Sequence, residues 1–382
     1  MGELKKGKTM NSYSADRVYD IDISEIRKIF DKTPKDSINL GLGEIQFPTP
    51  KIFTEYAREI LLDGNISYTP NAGLKVLRES IANYYENKID YENVCVTVGA
   101  EEAVFASIFC YINPGDEVLL ANPTFVAYKT ILKMTGGKAR YFHLDPKKKF
   151  CLDKHSFLKQ ITDKTKMVIL TNPSNPLGIT FTPEEVNFIV SICSEKNILL
   201  VVDEIYRELY IREKPATMLD LHKNSLIISG VSKAYCMTGW RLGWIVSQNR
   251  KLIKTIVSAH QYICTCAPFI SQKAALKALT TDGENVKEVL RMKLLDNRNY
   301  MINFLKENLP QSKILINSSS PYLFVNFGKD DKKLCKKLAE NGVIVIPGSV
   351  FGSNGNGWIR ISYGLEIEYL KIALERIFGV LR

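Results

Sequence analysis

The run NSLIISGVSKAYCMTGWRLGW, Asn224 to Trp244, decides the fold. Its opening, NSLIIS (224–229), is apolar enough to form a buried strand. Lys233 stands just beyond that strand among small and hydroxyl residues, and Arg241 follows on the same stretch. A lysine in such a place is costly unless it is paired, neutralised or covalently used. The strand is one of a series. VCVTVG (94–99), EVLLAN (117–122), ARYFHL (139–144), MVILTN (167–172), LLVVDE (199–204), LIISGVS (226–232) and LGWIVS (242–247) alternate with helical patterns. Most lack apolar/polar alternation, as expected of a parallel sheet covered on both faces. In TPEEVNFIVSICSEKN, Thr182 reads as a helix N-cap, with Pro183 in the first turn and Glu185 completing a capping box. The expectation is an α/β fold, a large domain with a mainly parallel seven-stranded sheet flanked by helices.

Beyond this series the pattern changes. ENVKEVLRMKLLDNRNYMINFLKENLP (284–310) reads as a long amphipathic helix stopped at Pro310. Short strands follow in YLFVNF, VIVIPG and WIRISYG, then a closing helix from about Glu366. The expected organisation is an N-terminal arm over 1–45 that packs with the small domain, a large domain over 46–285, and a smaller α+β domain over 286–382.

Composition narrows the function classes. With 382 residues, 45% hydrophobic and 24% charged, the chain has the make-up of an ordinary globular protein. The polar start MGELKKGKTMNSYSADR lacks the apolar core of a signal peptide, and no stretch approaches a membrane span. The eight cysteines are scattered, the closest pair being Cys264 and Cys266, which suits reduced thiols in a cytoplasmic protein. The four histidines are dispersed, so no metal centre is expected. The net charge of +10 is spread over helix faces without a nucleic-acid-binding signature, so no nucleic-acid partner is expected.

Strand ends are where open α/β sheets hold ligands. Gly99-Ala100-Glu101 turns a strand into a helix, a cradle suited to a phosphate. Phe125 follows the next strand and can stack on a flat ring. The turn NPSNPLG places Asn175 as a donor. Asp203 ends an apolar strand, where a carboxylate needs a cationic partner, and Tyr206 lies three residues on. Lys233 and Arg241 complete the set. A lysine amine, a buried acid, hydroxyl and amide donors and an anion cradle together suit pyridoxal 5'-phosphate (PLP).

The chain resembles the fold type I PLP-dependent aminotransferases of class I/II, the aspartate aminotransferase superfamily. The segments that carry the likeness stand in the family's order: INLGLGEIQFPTP, YTPNAGLKVLRE, VTVGAEEAV, NPGDEVLLANPTFVAY, TNPSNPLG, VVDEIYRELY, SKAYCMTGWRLGW and IPGSVFG…GWIRISYG. The resemblance implies that Lys233 binds the cofactor covalently and, once displaced, shuttles a proton. It implies that Asp203 pairs with the pyridine nitrogen and that Asn175 and Tyr206 bond the ring oxygen, with Phe125 stacked on the ring. The backbone amides of Ala100 and Glu101, with Ser232 and Arg241, would hold the phosphate. Tyr68 would reach it from the neighbouring subunit, which implies a homodimer with shared active sites. Arg360, helped by Asn175 and the backbone of Gly43, would bind the α-carboxylate of an amino acid, and a 2-oxo acid would be the second substrate.

Two departures stand out. Gly230 occupies the position, three before the lysine, where many relatives carry a phosphate-binding serine, and Ile45-Gln46 replaces the frequent Pro-Asp of GEPDF. The resemblance therefore leaves open another PLP reaction on this scaffold, such as β-elimination by a C–S lyase or oxidation or cyclisation of an amino acid. A PLP-sensing regulator is the non-enzymatic alternative. Aromatic residues at Tyr13, Tyr19, Phe30 and Tyr262 lean towards aromatic or broad neutral substrates.

Overall fold

The computed structural model describes residues 13, 15–19, 21, 34 and 36–382. Strands in chain order are β1 (Ile38–Asn39), β2 (Val94–Thr97), β3 (Glu117–Asn122), β4 (Lys138–Asp145), β5 (Cys151–Leu152), β6 (Thr165–Thr171), β7 (Leu199–Asp203), β8 (Ser225–Gly230) and β9 (Gly243–Val246). Those after β1 form one sheet of eight strands in the order β2-β9-β8-β7-β6-β3-β4-β5. The seven expected strands are all present, and β5 is the addition. Only two residues long, it turns back antiparallel onto the end of β4 after the Pro146–Lys148 turn, too short to carry a periodicity of its own. β9 runs antiparallel to both β2 and β8, and the remaining pairs are parallel.

The unbroken apolar runs have a plain cause. Val201 and Val202 point to opposite faces of β7 and both are fully buried, as are Ile227 and Ile228 on β8. Full burial of one such side chain contributes about 1.5–3 kcal/mol, so neither face tolerates a polar residue at these positions. The Pro183–Glu195 helix begins as its sequence foretells: Thr182 accepts from the Glu185 amide while Glu185 accepts from the Thr182 amide.

At the β8–β9 crossing Gly230 stands opposite Gly243. A Cβ on Gly230 would lie 2.7 Å from the Leu242 carbonyl oxygen, and one on Gly243 would lie 2.6 Å from the Ala100 nitrogen. The chain is too close here for any side chain, which is why a serine does not occupy position 230.

The C-terminal region carries β10 (Lys313–Leu315), β11 (Tyr322–Asn326), β12 (Val343–Ile344), β13 (Ile346–Pro347) and β14 (Ile359–Ser362). Four of them make an antiparallel sheet in the order β10-β11-β14-β13, while β12 pairs in parallel with β1. The long helix runs Thr281–Asn308, capped by Thr280 and stopped just before Pro310; it packs on the closing Ile367–Leu381 helix. β14 lies between β11 and β13, with Arg360 in register with Phe324 and Ile346. That placement carries the arginine to the carboxyl ends of the large sheet. No helix among the described residues is long and apolar enough to cross a membrane.

Candidate active site

The carboxyl-terminal ends of β6, β7 and β8 and the start of the Gly99–Tyr111 helix open on one cavity of about 380 Å³. Of the residues singled out from sequence, Gly43, Ala100, Glu101, Phe125, Asn175, Asp203, Tyr206, Ser232, Lys233, Arg241 and Arg360 all line it. Such parallel strands end on the same side of the sheet, so polar residues that are costly inside a strand are brought together at its rim.

Lys233 lies in the turn after β8. Burial holds its amine down to about 8; Glu44 opposes that shift, while Arg360 and Arg241 reinforce it. Neutral amine accessible near neutral pH, and the major form at mildly basic pH, is what nucleophilic attack and proton abstraction require. Asp203 closes β7. Burial pushes its carboxyl up to about 6, although its Oδ1 accepts from the Ile205 amide at 3.0 Å and its Oδ2 from the Tyr128 hydroxyl at 3.2 Å. Among the described residues it makes no ion pair, leaving a buried acid that a cationic ring nitrogen would complete.

The anion end is built from backbone. The Gly99–Tyr111 helix has no side-chain N-cap, so its first amides stay available at the positive end of the dipole. Gly99 has φ 76°, and a Cβ there would run into the Arg241 guanidinium. Arg241 is itself in the left-handed region at φ 51°, and its Nη1 donates to the Thr238 carbonyl at 3.1 Å, which turns the guanidinium towards the helix start. Ser232 is buried beside Lys233.

At the other end, the buried Arg360 guanidinium donates through Nη1 to Asn175 Oδ1 at 2.8 Å and through Nη2 to the Gly41 carbonyl at 2.6 Å. It lies between aromatic faces, 4.8 Å from the Tyr322 centroid and 4.9 Å from that of Phe351. Without a Cβ, Gly43 leaves room here: one would stand 3.7 Å from the Tyr206 hydroxyl and 3.8 Å from Arg360 Nη1. Burial pushes the Tyr206 hydroxyl up to about 12, keeping it a donor at working pH.

Three contributors were not singled out from sequence. Tyr128 bonds both Asp203 and, at 2.7 Å, the Thr171 hydroxyl. Tyr322 packs edge-on to Tyr206 with centroids 5.5 Å apart, and its hydroxyl is buried. Glu44 accepts from the Thr238 hydroxyl at 2.5 Å. Tyr128 and Tyr322 sit inside apolar helix and strand patterns, where nothing local separates a site tyrosine from a core one. The Glu44–Thr238 contact spans 194 positions, about half the chain, beyond any sequence spacing.

Other expected features fall elsewhere. Tyr68 does not line the cavity and is 86% exposed. Tyr13, Tyr19 and Tyr262 are also exposed and do not line the cavity, and Phe30 lies outside the described residues. Ile45 is buried in the core that also holds Val345 and Ile361, close against Gly364, so this departure from GEPDF serves packing. One of the four histidines stands in a cluster with an acid and a thiol. His260 is hydrogen-bonded to Glu102 through Nδ1 at 2.6 Å, with Cys264 Sγ 3.6 Å from the same nitrogen. The remaining Glu102 oxygen accepts from the Val98 amide at 2.5 Å. The group ties the Arg250–Ile263 helix to the start of the cradle helix.

A family model described as aminotransferase class I and II matches residues 35–377. A probable aspartate aminotransferase of Methanocaldococcus jannaschii is 35% identical over 369 residues, which cover 94% of this chain and 97% of that protein. Among solved structures, aspartate aminotransferase from Thermus thermophilus with maleate superposes with a TM-score of 0.90 at 28% identity, over 96% of this chain and 99% of that one. An aromatic aminotransferase from Pyrococcus horikoshii superposes with a TM-score of 0.85 at 31% identity, over 93% of this chain and 98% of that one.

Proposed function

Because the chain belongs to the class I and II aminotransferases, we propose that the cavity around Lys233 binds PLP and moves an amino group from an L-amino acid to a 2-oxo acid in two half-reactions. The observation that carries this reading is the pair Lys233 and Asp203, a lowered amine and a raised, ion-pair-free acid lining one cavity with an uncapped helix start. Bound there, PLP supplies an aldehyde for amines and a protonated ring that draws off the electrons left when a Cα–H bond breaks.

The residues divide the remaining work. Asp203 keeps a proton on the ring nitrogen, and the charge so formed relieves the cost of burying its own carboxylate. The amides of Ala100 and Glu101, the Ser232 hydroxyl and Arg241 grip the phosphate. Asn175 and Tyr206 would donate to the ring oxygen, and Phe125 would pack on the ring; all three line the cavity. Lys233 would hold the cofactor's aldehyde carbon, and its Nζ, once free, would be the group placed to take the donor's α-proton. Arg360 holds the donor's α-carboxylate as a bidentate fork, with Asn175 and the Gly43 backbone beside it. Replacing Arg360 with lysine removes the fork but keeps the charge, and KM for the amino donor is expected to rise roughly 10- to 100-fold with a smaller change in kcat. Steady-state kinetics with a good donor measure this.

The working unit in this reading is a homodimer, with residues 46–285 holding the cofactor and residues 286–382 delivering Arg360; of the arm's described residues, Ile38–Asn39 pairs with Val343–Ile344 of the smaller domain, while Asp16–Tyr19 contacts Ala127–Thr135 of the larger one. Tyr68 and Tyr262, each 86% exposed, flank a junction where Asn71 donates to the Thr265 carbonyl and Gln272 to Thr69. Two large exposed aromatic residues suit a covered surface, and Tyr68 would reach the partner's phosphate from it. Mixed subunits carrying Lys233→Ala and Tyr68→Ala separately should regain activity that neither homodimer shows, since one site of the hybrid is complete. No recovery after reassembly would place Tyr68 outside the site. Eight unpaired cysteines fit a cytoplasmic setting.

The direct test is a half-reaction. Loaded protein given an amino acid without acceptor should release one equivalent of 2-oxo acid per site and stop, then re-form an amino acid when a different 2-oxo acid is added. Continued release of ammonia, or oxygen uptake, would instead assign a different PLP reaction.

A further inference from the structure

Glu102, His260 and Cys264 meet beside the active-site cavity without lining it. Glu102 stands in the first turn of the Gly99–Tyr111 helix, His260 in the last turn of the Arg250–Ile263 helix, and Cys264 just past the end of that helix. A carboxylate oxygen, a ring nitrogen and a sulfur all lie within 4.8 Å of one another. The His260 side chain is fully buried and that of Glu102 is 11% exposed, so little water separates them. Spacing along the sequence hides this group, because Glu102 and His260 are 158 positions apart.

The separations are close to those of ligands around one ion. With metal–sulfur bonds of about 2.3 Å and metal–nitrogen or –oxygen bonds of about 2.0–2.1 Å, tetrahedral geometry puts sulfur about 3.5 Å from the lighter ligands and puts nitrogen about 3.3 Å from oxygen. Cys264 Sγ lies 3.6 Å from His260 Nδ1 and 3.8 Å from Glu102 Oε1. It stands nearly as close to His260 Nε2, at 3.8 Å, so the thiol must turn towards Nδ1 when an ion binds. Glu102 Oε1 and His260 Nδ1 are 2.6 Å apart, closed on a shared proton, and an ion in its place opens them slightly. The other Glu102 oxygen accepts from the Val98 amide at 2.5 Å, which orients the carboxylate as an outer hydrogen bond orients a metal ligand.

A second thiol lies on the same loop. The Cys266 amide donates to the Cys264 carbonyl at 2.8 Å, across Thr265 at φ 69°. A β-branched residue in the left-handed region is a backbone outlier, and the tight turn it makes holds Cys266 near Cys264. Burial pushes the Cys264 thiol up to about 12, and Glu102 and Cys266 beside it add to the rise. Groups that resist becoming anions together are the ones a dication would draw together.

We propose that Glu102, His260, Cys264 and Cys266 form a structural zinc site that clamps the Arg250–Ile263 helix to the start of the cradle helix. A mixed nitrogen, sulfur and oxygen set suits zinc and not magnesium or calcium, which take oxygen ligands. Four protein ligands leave no open position, so the ion holds the fold and does no chemistry. On binding it replaces the proton between Glu102 and His260, and both thiol protons pass to solvent; no electron moves. The site goes beyond the amino-transfer reading and does not depend on it.

Zinc alone, titrated into PLP-loaded, chelator-stripped protein kept reduced with a phosphine, should bind at one equivalent per chain. A competing chromophoric chelator should report a Kd of about 10⁻⁶ M or tighter. Cobalt in place of zinc should show the charge-transfer absorption of a thiolate-bound ion. Cys264→Ser and Cys266→Ser should each weaken zinc by about 100-fold or more, beyond the loss for an outer partner, and diminish that absorption. Both cysteines are half-buried and serine is nearly the same shape, so these variants should fold. Cys151→Ser, which removes an exposed thiol, should change neither reading. Zinc should raise the thermal-unfolding midpoint of the wild type but not of Cys264→Ser. Less than one equivalent per chain, or binding weaker than about 10⁻⁶ M, overturns the proposal. Tight binding that survives Cys264→Ser also overturns it, since the ion is then elsewhere. Tight binding lost in Cys264→Ser but kept in Cys266→Ser overturns Cys266 as the fourth ligand.

Discussion

Lys233→Ala lowers the amino-transfer rate about 10⁴-fold or more, the upper range for a positioned proton-transfer group, and abolishes covalent attachment of the cofactor. The loss is chemical, because the alanine variant keeps the fold. Burial lowers the Lys233 amine from 10.5 to about 8. Between those two pH values the unfolded chain holds a proton that the native state does not. The lysine therefore costs stability at neutral pH, and the cofactor-free wild type gains stability as pH rises from about 8 towards 10.5. Removing the side chain removes that rise. Thermal unfolding of both cofactor-free proteins from pH 7 to 10.5 reads it out, beside a half-reaction assay. Retained turnover, or a Lys233→Ala variant still covalently loaded, would overturn the assignment of the amine.

Asp203→Asn carries the second large effect, and it acts in opposite directions on function and stability. The amide cannot keep a proton on the ring nitrogen, so kcat should fall by about 10²–10⁴-fold. Yet burial has raised the carboxyl from 3.8 to about 6, so above that range the native state holds a charge it disfavours. The sign is that of a raised acid: the cofactor-free protein loses stability as pH rises from about 4 to about 6. Asparagine carries no such charge, and the cofactor-free variant should be more stable at pH 7 by about 2–3 kcal/mol, order of magnitude. Its amide still accepts from Ile205 and can meet the Tyr128 hydroxyl. With cofactor bound, the advantage should shrink or reverse, because the ring charge that offsets Asp203 no longer has its partner. Unfolding curves with and without PLP across pH 4–8 test both signs. A destabilised cofactor-free variant would mean that Asp203 already has a compensating charge within the protein.

The same physics explains what could be read before the fold was known. Asp203 and Lys233 stood out because each breaks an apolar run where a charge has no local reason to be. The seven long strands and the Thr182 cap were visible for the same reason: their signals lie within a few consecutive residues. Tyr128, Tyr322 and Glu44 were not. Each looks ordinary in its own segment and acquires meaning only from a partner far along the chain: Asp203 for Tyr128, Arg360 for Tyr322 and Thr238 for Glu44.

Gly230 and Ile45 mark that division most clearly. By sequence alone they were departures from a family pattern, with functional consequences to be found. In three dimensions Gly230 is required by the approach of Leu242 and Gly243, and Ile45 fills a core beside Gly364. The sequence by itself determined which chemistry the chain can host, since local periodicity and isolated charges need no distant partner to be recognised. Only the tertiary structure decided which departures are steric, because the Gly230–Gly243 approach and the Ile45–Gly364 contact are set by strand pairing and packing, not by neighbouring residues.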